Sequence, residues 1–366
     1  MEEKTMRLIE PAPQIHHRDS TAKIMWTVVL CLVPAGIWGV YVFGPRVLAV
    51  LGVSILSAVL AEYAMTKLLG KELTIQDGSA FLTGLLIGYN LPPSIPYFIP
   101  VLASFFAILI VKWTFGGLGQ NWMNPALAGR VFVFFSWTGH MTNWSMPGTM
   151  DAVDTVSSAS VLGYLKTGLL DYTGAEGGPM AFLRKAGYPQ SSMDMQVTEW
   201  LRGVFGDGVA GGYWDLFAGN IPGCIGEISA LLLLLGAAYL FYRKIITWQI
   251  PVAYIVTFSL FIWIFGGLRY NAGYFNGNVF FHMLSGGLVL GIFYMATDMA
   301  TSPLNSRGML IFGAGAGFLT FLIRIYGSFP EGVSLAIILM NIFVPMIDRY
   351  TQVKRFGITE EKGKAA

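Results

Sequence analysis

Three groups of residues in this sequence have types and spacings that could do chemistry. The first is Asp154-Thr155-Val156-Ser157-Ser158-Ala159-Ser160-Val161-Leu162, in which hydroxyls follow an acid at short range. A serine hydroxyl can carry an ester, although small hydroxyl residues after an acid are also the makings of ordinary turns and helix caps. The second is Gly116-Gly-Leu-Gly-Gln-Asn121-Trp-Met-Asn124-Pro125, rich in residues that favour left-handed and capping conformations. Irregular backbone at membrane depth is tolerated only where it lines a cavity or is buried in protein. Asn121 and Asn124 are therefore candidate contacts for a polar ligand, and a plain N-cap with Pro125 in the first turn would use the same residues. The third group is acidic: Glu62, Asp77, Glu227, Asp298, Glu331 and Asp348 lie inside or at the ends of apolar runs. Ionisable groups there are costly and by default indicate an ion path or proton relay. Asp77 and Asp298 are the preferred pair, with Glu227 beside them. Each of these carboxylates could instead cap a helix or pair at the interface, for instance with Lys71 or Arg307.

The elements that must position these groups follow from composition. Of 366 residues, 54% are hydrophobic and only 12% charged, with a mean hydropathy of +0.59. Soluble domains carry about 25% charged residues, so an ordinary cytosolic enzyme is excluded. The balance of 23 basic against 21 acidic residues lacks the basic excess of a nucleic-acid binder. Two cysteines, Cys31 and Cys224, cannot supply the four thiolates an iron–sulfur cluster normally needs, so redox chemistry here requires another cofactor. His16, His17, His140 and His282 show no metal-ligand spacing, and no metal site is expected. The charged first 23 residues show no removable signal peptide.

Apolar runs bounded by charge, Gly or Pro predict helices near 24–43, 47–69, 79–91, 96–115 and 125–141, and again near 226–243, 249–267, 280–298, 308–326 and 332–348. The fold class expected is an all-α polytopic membrane protein of about ten transmembrane helices, at roughly 20 residues per span. Pro92 and Gly116 in the first set match Pro303 and Gly327 in the second, each pair 211 apart. Short, interrupted segments at matching places in two halves indicate a transporter-like repeat, and five spans per half make the repeat inverted. The expected organisation is an N-terminal segment 1–23, a first five-helix repeat 24–144, a loop 145–218, a second repeat 219–349 and a tail 350–366. Lys and Arg in short loops set orientation: with both termini cytoplasmic, Lys112 and Arg243 are among the many bases on that side, and Arg46, Arg269 and Arg324 alone fall opposite. The 145–218 loop, with eight acids and the aromatics Trp200, Phe205, Tyr213 and Trp214, is then external and reads as a packed lid.

The strings carrying identity are Asp77-Gly-Ser-Ala-Phe-Leu-Thr83-Gly84, Gly119-Gln-Asn121-Trp-Met-Asn124-Pro125-Ala-Leu-Ala-Gly129-Arg130, Gly219-Asn-Ile-Pro-Gly223, Met295-Ala-Thr297-Asp298 and Pro330-Glu331-Gly332-Val-Ser. With them, residues from about Arg18 to Arg349 resemble the D component of Rnf complexes, the ion-translocating ferredoxin:NAD+ oxidoreductases, and more distantly the B component of the sodium-translocating NADH:quinone oxidoreductase. The 154–160 string is similar to the motif on which a flavin transferase attaches FMN by a phosphoester. The resemblance puts the acceptor at Ser160, where the family usually has Thr, with Ser157 and Ser158 beside it. It further implies a membrane flavoprotein with covalent FMN, and riboflavin as a second candidate ligand. Asn121, Asn124 and Arg130 would be flavin contacts, with Arg269 a further base for phosphate or ring charge. Electron transfer would be coupled to sodium or proton movement through Asp298, Asp77 and Glu227. The expected setting is the inner membrane of a prokaryote, among other membrane and peripheral subunits, one of them flavin-bearing. This chain carries no dinucleotide fingerprint and could not catalyse the overall reaction alone. The competing class is a redox-free secondary transporter or permease with an inverted repeat, which has no use for the 154–160 string.

Overall fold

A computed structural model of the chain describes residues 20–71, 73–147, 157–158, 160–167, 179–180, 183, 190–206, 211–270, 272–329 and 331–352. Most of the expected segment 1–23, nearly all of the tail 350–366 and Asp154 lie outside the described residues.

The chain opens with two helices of 23 residues, α1 (Thr21–Phe43) and α2 (Arg46–Leu68). At 1.5 Å per residue each is about 34 Å long, enough for a hydrocarbon core of about 30 Å. The Ser20 side chain caps α1 by accepting from Lys23 N, and Gly44, at φ 83°, ends it. Next come three shorter helices: α3 (Ser79–Tyr89), α4 (Phe98–Phe105), which runs on as π-helix over Phe106–Lys112, and α5 (Pro125–Ser136). The 11 residues of α3 rise about 16 Å, half a membrane, and Pro92-Pro93 prevents their continuation. A single turn, α6 (Thr138–Met141), leads to a two-residue ladder in which β1 (Trp144–Ser145) is antiparallel to β2 (Ser157–Ser158). Between the membrane sets lie α7 (Val161–Thr167), α8 (Ser192–Phe205) and α9 (Tyr213–Ala218).

The second set begins with α10 (Ala230–Tyr242) and α11 (Gln249–Phe265). The expected span 280–298 is not one helix. It is α12 (Val279–Leu284), a break at Ser285–Gly287, and α13 (Leu288–Leu290) continuing as π-helix over Gly291–Met295. Gly286 takes φ +69°, a left-handed conformation that only glycine adopts at low cost, so the helix cannot pass through it. The set closes with α14 (Ser306–Tyr326) and α15 (Val333–Tyr350). Among the described residues, five helices are long and apolar enough to cross a membrane: α1, α2, the Gln249–Tyr270 segment that contains α11, α14 and α15. Four shorter apolar segments, Ser79–Tyr89, Phe98–Lys112, Pro125–Ser136 and Ala230–Tyr242, accompany them. This is a polytopic membrane protein whose expected spans are partly replaced by short and broken helices.

Two bases counted above as loop charges are not in loops. Lys112 and Arg324 are 2% and 1% exposed, each near the end of an apolar helix and facing inward. Orientation therefore rests on the remaining bases.

Close helix contact in the second set depends on missing side chains. A Cβ on Gly313 or Gly317 of α14 would come within 2.6 Å of the Ile250 or Tyr254 carbonyl oxygen of α11. Small residues four apart let membrane helices approach closely. Gly317→Leu should therefore separate α11 from α14 and lower the thermal transition of the detergent-purified protein. The change is about 1–3 kcal/mol of overpacking cost, read by fluorescence-detected melting.

Candidate functional site

The site is built where the two sets of helices touch. At the end of α3 the chain turns, and Tyr89 and Leu91 offer their carbonyls to Gly226 N and Ile225 N at 3.0 and 3.1 Å. Cys224 Sγ bonds to Asn90 O at 3.3 Å. This crossing sets Asn90 and Glu227 side by side. Helix α5 enters from another direction. Asn124 is its N-cap, accepting from Ala126 N and Leu127 N, with Pro125 in the first turn. The Asn124 amide also donates to Met295 O at 3.2 Å, fastening α5 to the π-helical segment. Asn121 makes a local bond to Met123 O at 3.1 Å. The cap reading of this string is what the geometry shows.

One turn into α5, Arg130 projects into the crossing. Its Nη1 donates to Asn90 Oδ1 at 2.7 Å, Glu227 Oε1 at 2.8 Å and Ser334 Oγ at 2.9 Å. Its Nη2 donates to Glu331 Oε2 and reaches Cys224 Sγ at 3.7 Å. Arg130, Glu227 and Asn90 are buried, and a guanidinium, with five donors in a planar fork, suits bidentate binding of carboxylates. Cys224, Glu227 and Glu331 have ligand atoms within 4.8 Å of one another, although the sequence spacing gave no such set. Arg130 already bridges the two carboxylates, so a metal ion would have to displace it. Glu227 Oε2 is buried with no hydrogen-bond partner among the described residues. Close by is the break in the second set: a Cβ on Gly287 would overlap the Glu227 carboxylate, and one on Gly286 would lie 3.3 Å from Arg324 Nη2. Arg324 donates to the carbonyls of His282 and Glu331 and stacks over Phe258, 5.3 Å from the ring centre.

Ser160 stands at the edge of this cluster. It is 6% exposed and caps α7, its Oγ accepting from Gly163 N at 3.0 Å. It lines a small pocket with Leu162, Gly223, Glu227, Gly286 and Glu331. The β1–β2 ladder holds Ser157 and Ser158 opposite Ser145 and Trp144. At the other end of α7, Lys166 donates to the carbonyls of Gly327 (2.9 Å) and Phe329, just past the end of α14. Burial, helped by the nearby Arg269 and Arg324 charges, lowers the Lys166 ammonium to a pKa of about 8.

A second buried cluster lies elsewhere. Glu62 of α2 receives Lys112 Nζ at 2.9 and 3.0 Å, Trp113 Nε1 at 2.9 Å and Thr74 Oγ1 at 2.8 Å. Lys112 also donates to Ser79 Oγ at 2.8 Å. Ser79 in turn donates its N–H and hydroxyl to Asp77 Oδ1 at 2.7 and 2.6 Å. Asp77 thus opens α3 as a capping acid. Asp298 accepts from Thr301 Oγ1 at 3.0 Å, and Asp348 from Leu304 N at 3.1 Å. Lys71 does not pair with Asp77; it donates to Gly116 O at 3.0 Å and lies over Trp113.

The structure therefore brings Arg130, Glu227 and Ser160 to one place and leaves Asn121, Asp77 and Asp298 with local partners. Sequence reasoning missed Asn90, Cys224 and Ser334, and treated Lys112 and Arg324 as loop bases. Their one sequence signal is polarity inside or beside apolar runs.

Fold and site together define a polytopic membrane protein with ionisable groups buried between its helices. The chain belongs to the NQR2, RnfD, RnfE family, whose model matches residues 8–357. It is 43% identical over 354 residues to the D component of the proton-translocating ferredoxin:NAD(+) oxidoreductase complex of Clostridium ljungdahlii, covering 97% of each chain. It is 40% identical over 357 residues to the D component of the Na(+)-translocating ferredoxin:NAD(+) oxidoreductase complex of Acetobacterium woodii, covering 98% of this chain and 97% of that one. Identity to the D component of the ion-translocating oxidoreductase complex of Stutzerimonas stutzeri is 36% over 360 residues, 93% of each chain.

Removing one member of a buried pair strands the other, at a cost of about 3–5 kcal/mol. Lys112→Met should therefore destabilise the purified protein severely, and Lys112→Met with Glu62→Gln should recover most of the lost melting temperature. A double variant no more stable than the single one would show that Lys112 does not serve to neutralise Glu62.

Proposed function

We propose that this chain is the membrane flavoprotein subunit of an ion-translocating ferredoxin:NAD+ oxidoreductase complex, with FMN esterified to Ser160 and electron transfer coupled to sodium or proton movement. The observation that carries the reading is the placement of Ser160, the hydroxyl matched to the family's attachment motif, against the Glu227 and Glu331 carboxylates in one pocket. Relatives of near-equal length, named as the D component of such complexes, support it.

The residues fit a phosphoester. Ser160 Oγ uses only acceptor capacity in capping α7, so esterification would leave that bond available. The pocket is too small for an isoalloxazine ring and its Glu227 and Glu331 carboxylates repel a phosphate, so phosphate and ring would extend out of it from the Ser160 oxygen. Bound FMN would supply one- and two-electron redox chemistry, while α7 fixes its attachment point. Ser157 and Ser158 would border the linkage, and Arg130, already bridging Glu227 and Glu331, belongs to the proposal as a flavin contact only through the family resemblance. Asn121 and Asn124 belong to the proposal as flavin contacts only through the family resemblance, since their side chains serve local bonds and a cap. Riboflavin as a further ligand rests on the same resemblance.

For ion coupling, Glu227 is the foremost of the three proposed carboxylates, because its Oε2 lacks a partner among the described residues. Asp77 and Asp298 follow, each with one short hydroxyl contact. We read the helices as two inverted five-helix repeats. Support comes from the equal 211-residue offsets and from a buried base closing the fourth helix of each set, Lys112 and Arg324. Both termini would face the cytoplasm and 145–218 the outside of a prokaryotic inner membrane, with the redox partners, another flavin-bearing subunit among them, supplied by the complex.

The test is in-gel flavin fluorescence of the denatured chain co-expressed with a flavin transferase. Fluorescence should survive denaturation in the wild type and vanish in Ser160→Ala; a dark wild type would favour the permease reading. For the ion path, Glu227→Gln and Asp298→Asn should each reduce ion uptake by complex-containing vesicles more than they reduce electron flow. Equal loss of both would remove that residue from the coupling scheme.

A further inference from the structure

Helix α8 (Ser192–Phe205) turns two polar side chains inward. Asp194 and Thr198 are buried, and Asp194 accepts from the backbone N–H groups of Gly212 (2.7 Å), Trp214 (2.9 Å) and Asp215 (3.3 Å). Asp215 answers by accepting from Ser191 N at 2.9 Å and Ser191 Oγ at 2.5 Å. These reciprocal caps lock α8 to α9. Met193, Val197, Trp200 and Val204, spaced i, i+4, i+7 and i+11, then form one stripe beside that face. Met193, Trp200 and Val204 are 63%, 67% and 58% exposed. Gln196, Glu199 and Arg202 are exposed on the remaining side, where Met195, 50% exposed, is the apolar exception. A helix with one face on protein, one apolar and one polar and charged has the anatomy of an interfacial helix.

Where α8 begins decides what covers the stripe. Met193 shares a crevice of about 640 Å³ with Trp38 and Tyr41 of α1, Trp214 of α9, and Leu231 and Leu232 of α10. Trp38 and Tyr41 pack together, 5.2 Å between ring centres, in the last turns of a 23-residue membrane helix. Tryptophan and tyrosine are enriched at that depth, the level of the lipid headgroups. Trp38 also donates to Gly219 O at 3.4 Å, just past α9, so α9 is tied to the same level. Tyr41 is 78% exposed on the outside of α1, so the crevice and the stripe continue the lipid-facing surface of the helix bundle. Of the polar groups at the crevice, Asp215, Ser191 and Gln190 are bonded within the α8–α9 unit and Ser229 accepts from Leu232 N; Asn220 adds one amide to walls that are otherwise largely apolar.

We infer that α8 lies on the membrane at the end of α1 marked by Trp38 and Tyr41, with the Met193–Val204 stripe in the headgroup region and the crevice holding a phospholipid acyl chain. The inference needs only that the chain spans a membrane. It does not depend on the flavin or on ion coupling. The unit that follows Ser160 would then be held level with the bilayer surface.

Cys31 and Cys224 are buried, so cysteines introduced on α8 can be labelled selectively in the full chain. Nitroxides placed through Met193→Cys, Trp200→Cys, Val204→Cys, Gln196→Cys and Arg202→Cys would be examined in vesicles of phosphatidylcholine and phosphatidylglycerol. Only variants with an unchanged elution profile are used. Labels at 193, 200 and 204 should relax several-fold more with oxygen than with a water-soluble nickel chelate, and labels at 196 and 202 should show the opposite. Equal chelate access at all five positions would overturn the inference, as a stripe awaiting another subunit predicts. Shielding of 193, 200 and 204 from both reagents would also overturn it, by showing protein in place of lipid.

Discussion

The burial of the Arg130 guanidinium is the constraint on which the centre of this structure depends. A charge in an apolar interior is stable only when paired and hydrogen-bonded, and Arg130 finds its partners on three separate segments: Asn90, the 224–227 turn, and Glu331 with Ser334. Meeting that requirement draws the end of α3, the approach to α10 and the start of α15 onto α5. The crossing of 89–91 with 225–226 serves the same demand, and the glycine break at 285–287 lies against Glu227. Both make room for polar groups where a continuous apolar helix would exclude them.

The two buried clusters differ in how completely they are satisfied. Glu62 receives bonds from Lys112, Trp113 and Thr74, which leaves it a fixed counter-charge. Glu227 shares Arg130 with Glu331 and keeps an oxygen without a partner among the described residues. A saturated carboxylate holds helices in register, whereas a half-saturated one next to a pocket can exchange a proton or cation at lower cost. Buried acids in one membrane protein are thus not equivalent, and hydrogen-bond accounting separates them better than position along a span.

The hydroxyl string gains meaning from what its helix touches. Ser160 begins α7 and Lys166 ends it on the Gly327 and Phe329 carbonyls. Those carbonyls belong to the turn between Arg324 and Glu331, so a group attached at Ser160 would be mechanically connected to the charged cluster through seven residues of helix. The placement gives a physical route by which chemistry at the loop and charge within the bundle could influence each other.

Composition determined the class of protein, because 12% charged residues cannot clothe a soluble domain of this size. Apolar runs located most helices within a few residues, and the five family strings identified the lineage, because both signals are local. The sequence also singled out Ser160, Arg130 and Glu227. It could not say that they meet: Arg130 and Glu227 are 97 residues apart, and Arg130 and Glu331 are 201 apart. Nor did it separate Lys112 and Arg324 from loop bases, since a charge at the end of an apolar run looks the same whether it faces water or a buried partner. Pairing is a property of space between segments, so tertiary structure alone decided which charges are neutralised, which helices break and which carboxylate keeps an open oxygen.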